Sequence, residues 1–235
     1  MYINEKLVYL ALQKTGCTHV LKLLSSLPQT KGEIVGKHNT IYQISKEKLG
    51  DLTNKVKAGN IRNPWDWYVS LWAYGSMDKG ALYTRLASGS ILKKITQPRT
   101  LFGSSKEWRK VYSDNTNPEL FRQWLTMILS THIPDVGEGY GSAALSKDAG
   151  LMTYRYLKLY TYDFNQTIKK IKSLDDARKF DADKNFIDHF LFSENLENDF
   201  KSLMIKTGIS ENEIKHVLNS PKTNSSIRNT GFYHQ

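Results

Sequence analysis

The sequence predicts an α/β fold with a central parallel sheet flanked by helices, and three observations lead to this prediction. Residues 7–12 are apolar without interruption, which is typical of a parallel strand that is buried on both faces. A turn containing glycine and then an amphipathic segment follow directly, as at the opening of an α/β unit. The order of strand and then helix recurs at residues 55–74. We therefore expect one domain over residues 1–235.

In the first third of the chain, each secondary-structure element has its own sequence signal. Turn residues, apolar runs and a helix-initiating proline mark the boundaries. In chain order we predict a turn at 13–16, a helix that Thr18 caps and that runs to about residue 26, strands at 34–44 and 55–61, and a helix that begins at Pro64 and runs to about residue 74.

The remaining elements follow an irregular, partly helical insertion around residues 76–140, within which the periodicity at 76–116 is weak. Apolar spacing and a Ser-x-x-Glu capping box give the later assignments. We predict helices at 118–130, 194–207 and 210–218, a glycine-rich loop at 134–141, strands at 156–162 and 186–190, and a polar tail at 219–235.

Charge and cysteine content restrict the function only broadly. The 33 Lys and Arg exceed the 23 Asp and Glu, so the net charge is +10. A basic surface favours anionic partners, although many soluble proteins are basic without such a role. Cys17 is the only cysteine, so no intramolecular disulfide can form, and nothing in the sequence indicates an oxidising compartment. No apolar run approaches the length of a membrane span, and we expect a cytoplasmic protein.

The first motif is Lys-Thr-Gly-Cys-Thr-His at residues 14–19, directly after the first predicted strand. Gly16 allows a sharp turn and a close approach of the backbone to a ligand. The next helix presents free N–H groups and the positive end of its dipole, which suit a phosphate or a sulfate. Lys14 adds a charge, and the hydroxyl groups of Thr15 and Thr18 add donors. An ordinary strand–helix turn is the alternative.

The second motif begins with Arg-Asn-Pro at residues 62–64 and ends with Ser70. Arg62 follows a predicted strand, so it should lie at the carboxyl edge of the sheet, where α/β proteins bind ligands. Its guanidinium can bind a phosphate with two hydrogen bonds, and Ser70, two helical turns on, offers a hydroxyl. The alternative is an arginine that caps a carbonyl and a serine buried in a helix.

Together the motifs resemble those of the sulfotransferase superfamily that uses 3′-phosphoadenosine 5′-phosphosulfate (PAPS), particularly its bacterial and carbohydrate-type members. Weaker similarity occurs at residues 186–190, in Glu-Asn-Leu-x-x-Asp-Phe at 194–200 and in Asn-Ser-Ser at 224–226. The resemblance implies a three-layer sandwich like that of P-loop NTPases. It also implies a set of residues that bind the nucleotide. On the 5′ side these are Lys14, Thr15, Gly16, Cys17, Thr18 and His19, and at the 3′-phosphate they are Arg62 and Ser70.

The resemblance implies that Lys14 acts in catalysis and makes His38 the candidate general base, because related enzymes carry a Lys-His-x-Thr segment between the two motifs. A histidine near its ordinary pKa can take the proton of an acceptor. An exposed loop histidine is the alternative role of His38, Glu33 is the alternative base, and helix packing is the alternative role of His19. No metal motif is present, and we expect none to be needed.

We therefore expect transfer of a sulfuryl group from PAPS to a hydroxyl or amine, with a glycan or other polyhydroxylated metabolite as the acceptor and no nucleic-acid partner. A P-loop-like nucleotide kinase or phosphotransferase is the alternative enzyme, although the lysine precedes the glycine here, unlike in G-x-x-x-x-G-K-[ST]. A polyanion-binding protein without enzymatic activity is the third alternative. It would carry the same fold, but the sequence lacks a signature of nucleic-acid binding.

Overall fold

The structure is a computed structural model that describes residues 1–28, 31–88, 105–130 and 136–219. The described residues fall into two compact units. The first contains Met1–Asn63, Arg155–Phe164 and residues 179–219, without 29–30, and the second contains the described parts of Pro64–Tyr154 and Asn165–Arg178. The single domain expected from the sequence stays a prediction.

The first unit is built on a five-stranded open sheet. Its strands are β1 (Tyr2–Ile3), β2 (Leu7–Leu10), β3 (Glu33–Ile34), β4 (Val56–Ile61) and β5 (His189–Phe192), in the spatial order β3-β1-β2-β4-β5. β2, β4 and β5 are parallel, whereas β1 is antiparallel to both of its neighbours. β3 therefore runs in the same direction as β2, β4 and β5. The predicted α/β class is confirmed, but the sheet is mixed because β1 runs the other way.

Eleven α-helices lie in the described residues. They are α1 (Cys17–Ser25), α2 (Lys46–Leu49), α3 (Pro64–Gly75), α4 (Ala81–Leu86), α5 (Ser105–Val111), α6 (Pro118–Leu129), α7 (Leu151–Tyr160), α8 (Phe164–Thr167), α9 (Leu174–Lys184), α10 (Leu196–Lys206) and α11 (Glu211–Leu218). The predicted proline starts of α3 and α6 are confirmed, and so is the capping box of Ser210 and Glu213 at α11.

The core of the first unit forms where α1, α10 and α11 pack on one face of the sheet. All four residues of β2 are buried, as the uninterrupted apolar run predicts. The helices contribute apolar side chains at spacings of three and four residues, which place them on one helix face. These side chains belong to Val20, Leu21, Leu23, Leu24, Phe200, Leu203, Met204, Ile214 and Val217.

The second unit contains the described part of the predicted insertion at residues 76–140, where α4, α5 and α6 lie. Its core is rich in tryptophan: Trp67, Trp72, Trp108 and Trp124 are each at most 2% exposed. The indole nitrogen of Trp72 donates to the Val111 carbonyl oxygen at 2.7 Å. Residues 89–104 and 131–135 of the insertion, with the first part of the predicted loop at 134–141, lie outside the described residues, as does the tail beyond 219.

The predicted strand at residues 34–44 is wrong over most of its length. Only Glu33–Ile34 pairs in the sheet, and the chain then turns at Gly36, whose φ of 67° is in the left-handed region. Thr40 caps a 3₁₀ turn at Ile41–Gln43 with a capping box. Left-handed and capping conformations interrupt an extended strand, and this explains why the β-branched residues here do not form one.

The predicted strand at residues 156–162 is also wrong, because most of it lies in α7. Buried side chains recur every three residues, at Leu151, Tyr154, Leu157 and Tyr160, which is a helical spacing. Within residues 156–162 alone, apolar and polar residues alternate as they do in a strand. The strand expected at 186–190 is shifted, since β5 begins at His189.

Candidate functional site

The candidate site lies at the carboxyl edge of the sheet in the first unit. β2, β3, β4 and β5 run in the same direction, so the loops that follow them meet at this edge. Hydrogen bonds join the loops to each other. They link His38 to Ala11, Arg62 to Lys14, and Ser193 to Thr15. The geometry therefore brings together the first motif, the start of the second motif and the candidate base.

The turn between β2 and α1 has an unusual backbone. Lys14 and Gly16 have φ angles of 65° and 80°, whereas Thr15 between them has a negative φ. A non-glycine residue with positive φ is uncommon. Conformations that alternate in this way direct successive N–H groups into one concavity, which suits an anion. The predicted turn at residues 13–16 is thus confirmed, and the alternating signs of its φ angles suit an anion.

Side chains in β4, and in the loops that follow β4 and β5, donate hydrogen bonds to the carbonyl groups of this turn. A guanidinium nitrogen of Arg62 donates to the Lys14 carbonyl oxygen at 3.3 Å. The Thr15 carbonyl oxygen accepts from the Asn60 amide at 3.3 Å and from the Ser193 hydroxyl at 2.9 Å. In a trans peptide the C=O and the N–H point to opposite sides. The N–H groups of Thr15 and Gly16 therefore face away from these donors.

Gly16, rather than Thr18, is the N-cap residue of α1. The Gly16 carbonyl oxygen accepts from the backbone N–H of His19 at 2.9 Å and of Val20 at 3.3 Å. No side chain caps this helix end, and the predicted capping role of Thr18 is wrong because Thr18 already lies in the first turn. Because the N-cap residue lies two positions before the predicted one, the N-terminus of α1 directly adjoins the left-handed residues of the turn.

The side chains of the first motif differ in what they can offer a ligand. Thr15 is fully buried and its hydroxyl donates to the Leu12 carbonyl oxygen at 2.7 Å, so that proton is used inside the turn. Cys17 is 4% exposed, and burial raises the pKa of its thiol. His19 is 8% exposed on α1, whereas Thr18 is partly exposed. At Thr15 and Cys17 it is the backbone N–H that suits an anion.

His38 lies beside the end of β2. Its Nδ1 is 2.7 Å from the Ala11 carbonyl oxygen. A carbonyl oxygen only accepts, so Nδ1 carries the hydrogen, and Nε2 of the neutral ring keeps its lone pair. Burial lowers the pKa of His38; the bond to Ala11 opposes this, while the positive charges of Lys37 and Arg155 add to it. His38 is therefore neutral at pH 7, the state that a general base requires.

Glu33, the alternative base, is engaged elsewhere. Its carboxylate forms an ion pair of 2.8 Å with the Lys48 ammonium, and the two side chains are 61% and 54% exposed. It lies on β3 opposite Ile3, before the chain reaches the carboxyl edge. The loop that carries His38 is held by the N-terminus of the chain: the amino group of Met1 donates to the carbonyl oxygens of Gly36 and Lys37. Of the two candidates, His38 contacts the residue that follows β2, whereas Glu33 pairs with Lys48 on an exposed part of the surface.

The two residues of the second motif lie in different units. Arg62 directly follows β4 and is partly buried in the first unit. The N–H of its neighbour Asn63 donates to the Glu194 carboxylate at 2.7 Å, so Glu194 fixes this loop. Ser70 lies in α3, in the second unit, and is 3% exposed. The role of Ser70 at a phosphate rests on the resemblance.

Several residues of the site were missed by the sequence analysis. Asn60 and Ser193 hold the Thr15 carbonyl, and Tyr160 donates to the Asn60 carbonyl oxygen at 2.6 Å. A polar Asn60 within a predicted strand was a usable signal, because a buried amide needs partners. For Ser193 and Tyr160 no local signal existed, since their partners are distant in sequence.

Within the described residues, no three His, Cys, Asp or Glu side chains are grouped so that they could hold a metal ion. Among the described helices, none combines the length and the apolar character needed to cross a membrane.

Comparison with known proteins gives no family assignment. No protein-family model matches the chain, and neither the curated proteins nor the solved structures contain a significant match. The resemblance to sulfotransferases therefore rests on the sequence motifs alone.

Proposed function

We propose that this protein transfers the sulfuryl group of PAPS to a hydroxyl or amine of a carbohydrate or another small metabolite. As part of this proposal, the α/β unit has the P-loop-like sandwich fold that the resemblance implies. The observation that carries the proposal is the hydrogen bond of 2.7 Å between His38 and Ala11. It supports the proposal because a neutral histidine then lies at the end of the strand that leads into the turn at residues 13–16.

Different parts of the turn would bind different parts of the nucleotide. The N–H groups of Thr15, Gly16 and Cys17 and the charge of Lys14 suit the 5′-phosphosulfate, since nests and helix N-termini favour anions. Arg62, at the neighbouring strand end, suits the 3′-phosphate because a guanidinium offers several donors in a fixed plane. Ser70 joins Arg62 in this role on the resemblance alone.

In the proposed reaction the acceptor atom forms a bond to sulfur, and the bond from sulfur to the bridging oxygen of the 5′-phosphate breaks. Nε2 of His38 takes the proton that the acceptor loses. The negative charge that develops on the departing 5′-phosphate is stabilised by Lys14 and by the backbone N–H groups of the turn. Donors that are already oriented stabilise such a charge most effectively. The second product is 3′-phosphoadenosine 5′-phosphate.

Nucleotide binding provides the first test. We expect 3′-phosphoadenosine 5′-phosphate to raise the unfolding temperature in a dose-dependent manner, because a ligand that binds the folded state stabilises it. ATP with Mg²⁺ serves as the comparison. A shift with ATP and Mg²⁺ and none with 3′-phosphoadenosine 5′-phosphate would contradict the proposal and favour a phosphotransferase.

Transfer itself is tested with PAPS that carries labelled sulfur. The acceptor panel contains neutral sugars, carboxylated sugars, amino sugars and small phenols. We expect label to appear in at least one acceptor with wild-type protein, and at a rate lower by about 100-fold or more with Lys14→Ala. If the nucleotide binds and no acceptor of the panel is labelled, the proposed acceptor class is wrong.

A further inference from the structure

Asn60 is a polar residue near the end of β4, an interior strand of the sheet, and it is fully buried. Its side-chain oxygen accepts a hydrogen bond from the Tyr9 hydroxyl, and its side-chain nitrogen donates to the Thr15 carbonyl oxygen at 3.3 Å. Its own carbonyl oxygen accepts from the Tyr160 hydroxyl at 2.6 Å. Buried amides are costly unless they are paired, and Asn60 is paired on both sides.

These partners determine the orientation of the amide. The Thr15 carbonyl oxygen can only accept, so it requires the NH₂ side of Asn60, and Tyr9 must then donate to the oxygen side. Burial raises the pKa of the Tyr9 phenol well above its ordinary value. Tyr9 therefore keeps the hydrogen that it donates. The hydrogen bonds run in one direction, from Tyr9 through Asn60 to the turn.

We propose that Asn60 is a positioning residue that holds the Thr15–Gly16 peptide so that the Gly16 N–H faces the 5′ anion of the nucleotide. This inference rests on the proposed function, since it assigns a task within the same site. Because the peptide is planar, a hydrogen bond to its C=O also fixes the direction of its N–H. Asn60 thus acts on the ligand through the turn and does not touch it.

Ser193 donates to the same carbonyl oxygen over a shorter distance, 2.9 Å against 3.3 Å for Asn60, but its hydrogen is shared. Its hydroxyl has one hydrogen, and two acceptors compete for it, the Thr15 oxygen at 2.9 Å and the Ile61 oxygen at 3.1 Å. The side-chain amide of Asn60 has two hydrogens, and its other end is fixed by Tyr9. Removal of the Asn60 amide should therefore free the peptide to rotate.

Calorimetry with two nucleotides tests this role. 3′-phosphoadenosine 5′-phosphate contains the 5′ group, and adenosine 3′-phosphate lacks it. For Asn60→Ala we expect about a tenfold loss of affinity for the first nucleotide, the value of one hydrogen bond to a charged group. The second nucleotide should bind within about twofold of wild type. A general structural defect would weaken both, and equal losses or no loss would overturn the inference.

Two further variants keep the test decisive. Tyr9→Phe removes one hydroxyl while keeping the ring in the core, so it tests the same orientation if Asn60→Ala does not fold. We expect it to weaken only the nucleotide with the 5′ group. Val56→Ala, at the opposite end of β4, is the matched control for a weakened strand. It should leave both affinities unchanged, and a selective loss in this control would contradict the assignment to Asn60.

A readout without nucleotide separates this inference from the proposed function. Inorganic sulfate is titrated into ¹⁵N-labelled protein, and the amide resonance of Gly16 is followed. It should shift in wild type and shift much less in Asn60→Ala. If wild type binds sulfate but not 3′-phosphoadenosine 5′-phosphate, the proposed function fails while the positioning role stands. If Gly16 does not respond in wild type, or responds equally in the variant, the positioning role is wrong.

Discussion

Replacement of His38 by asparagine tests the general base without loosening its loop. The asparagine NH₂ lies about as far along the side chain as Nδ1 of histidine, so it can donate to the Ala11 carbonyl in the same way. It has no counterpart of Nε2, the atom proposed to take the proton. His38→Ala removes both groups and serves as the comparison.

The expected magnitudes separate the two tasks of this side chain. Loss of a general base costs about 10²–10⁴-fold in rate, so turnover should fall by at least about 100-fold in both variants. A typical hydrogen bond contributes about 1 kcal/mol to stability, and only His38→Ala loses the 2.7 Å bond to Ala11. The free energy of unfolding should therefore drop in His38→Ala and change little in His38→Asn.

Activity and stability should both depend on pH through the protonation of His38, and both should decrease as the pH falls. Nε2 must be free of a proton to act, and burial lowers the pKa of His38 below its ordinary value of 6.5. In kcat/KM, which reports the protein before its substrates bind, activity should thus rise with pH along a limb below pH 6.5 and then level off. Because the unfolded chain binds this proton more readily, the stability that neutral His38 contributes is present above pH 6.5 and is lost as the pH falls. His38→Asn should remove both dependences.

The assay measures kcat at saturating PAPS and acceptor, kcat/KM as a function of pH, and the affinity for 3′-phosphoadenosine 5′-phosphate. Nucleotide affinity should remain near the wild-type value in both variants. If His38→Asn keeps turnover within about threefold of wild type, or keeps the low-pH limb, the base is elsewhere and Glu33 is the next residue to replace. A loss of nucleotide affinity with unchanged turnover would instead place His38 in the nucleotide site.

Three other predictions concern the nucleotide and the sheet. Lys14→Ala should lower kcat, measured at saturating nucleotide, by about 100-fold or more. Alanine has a Cβ like lysine, so the left-handed φ of 65° costs both residues about the same, and the substitution should not disturb the turn. A change in kcat within about threefold would refute the role of Lys14. Arg62→Ala and Ser70→Ala should each lower the affinity for 3′-phosphoadenosine 5′-phosphate by about tenfold or more. Calorimetry should show a smaller loss of affinity for adenosine 5′-phosphosulfate, which lacks the 3′-phosphate. Equal losses for the two nucleotides would contradict binding of the 3′-phosphate by these residues. Gly59→Ala would place a Cβ 2.5 Å from the Tyr160 ring, so urea unfolding should show a loss of about 1–3 kcal/mol, and an unchanged midpoint would mean that the ring can move aside.

Strong local signals account for the elements that the sequence predicted. The apolar run at residues 7–12, the prolines at 64 and 118 and the capping box at Ser210 each specify conformation within a few residues. The left-handed conformation of Gly16 also follows from its residue type, since glycine lacks a Cβ. These signals were sufficient to predict the turn and the helix after it.

The errors arose where distant partners decide the conformation. The alternation at residues 156–162 fits a strand as well as a helix, and only the buried spacing from Leu151 onwards distinguishes them. The hydrogen bond between His38 and Ala11 joins residues 27 positions apart, and that between Ser193 and Thr15 joins residues 178 apart. Local pattern contains no information on such pairs, so the orientation of the turn could not be predicted.

The shortness of β3 affects how activity should respond to heat. His38 follows a strand that pairs through only two residues with β1, at the outer edge of the sheet. Edges and short segments open locally at much lower free energy than a buried central strand such as β2. Amide hydrogen exchange at residues 33–38 should therefore be faster than in β2 and β4. On warming, we expect the proposed sulfuryl-transfer activity to be lost several degrees before circular dichroism detects unfolding, and to recover on cooling.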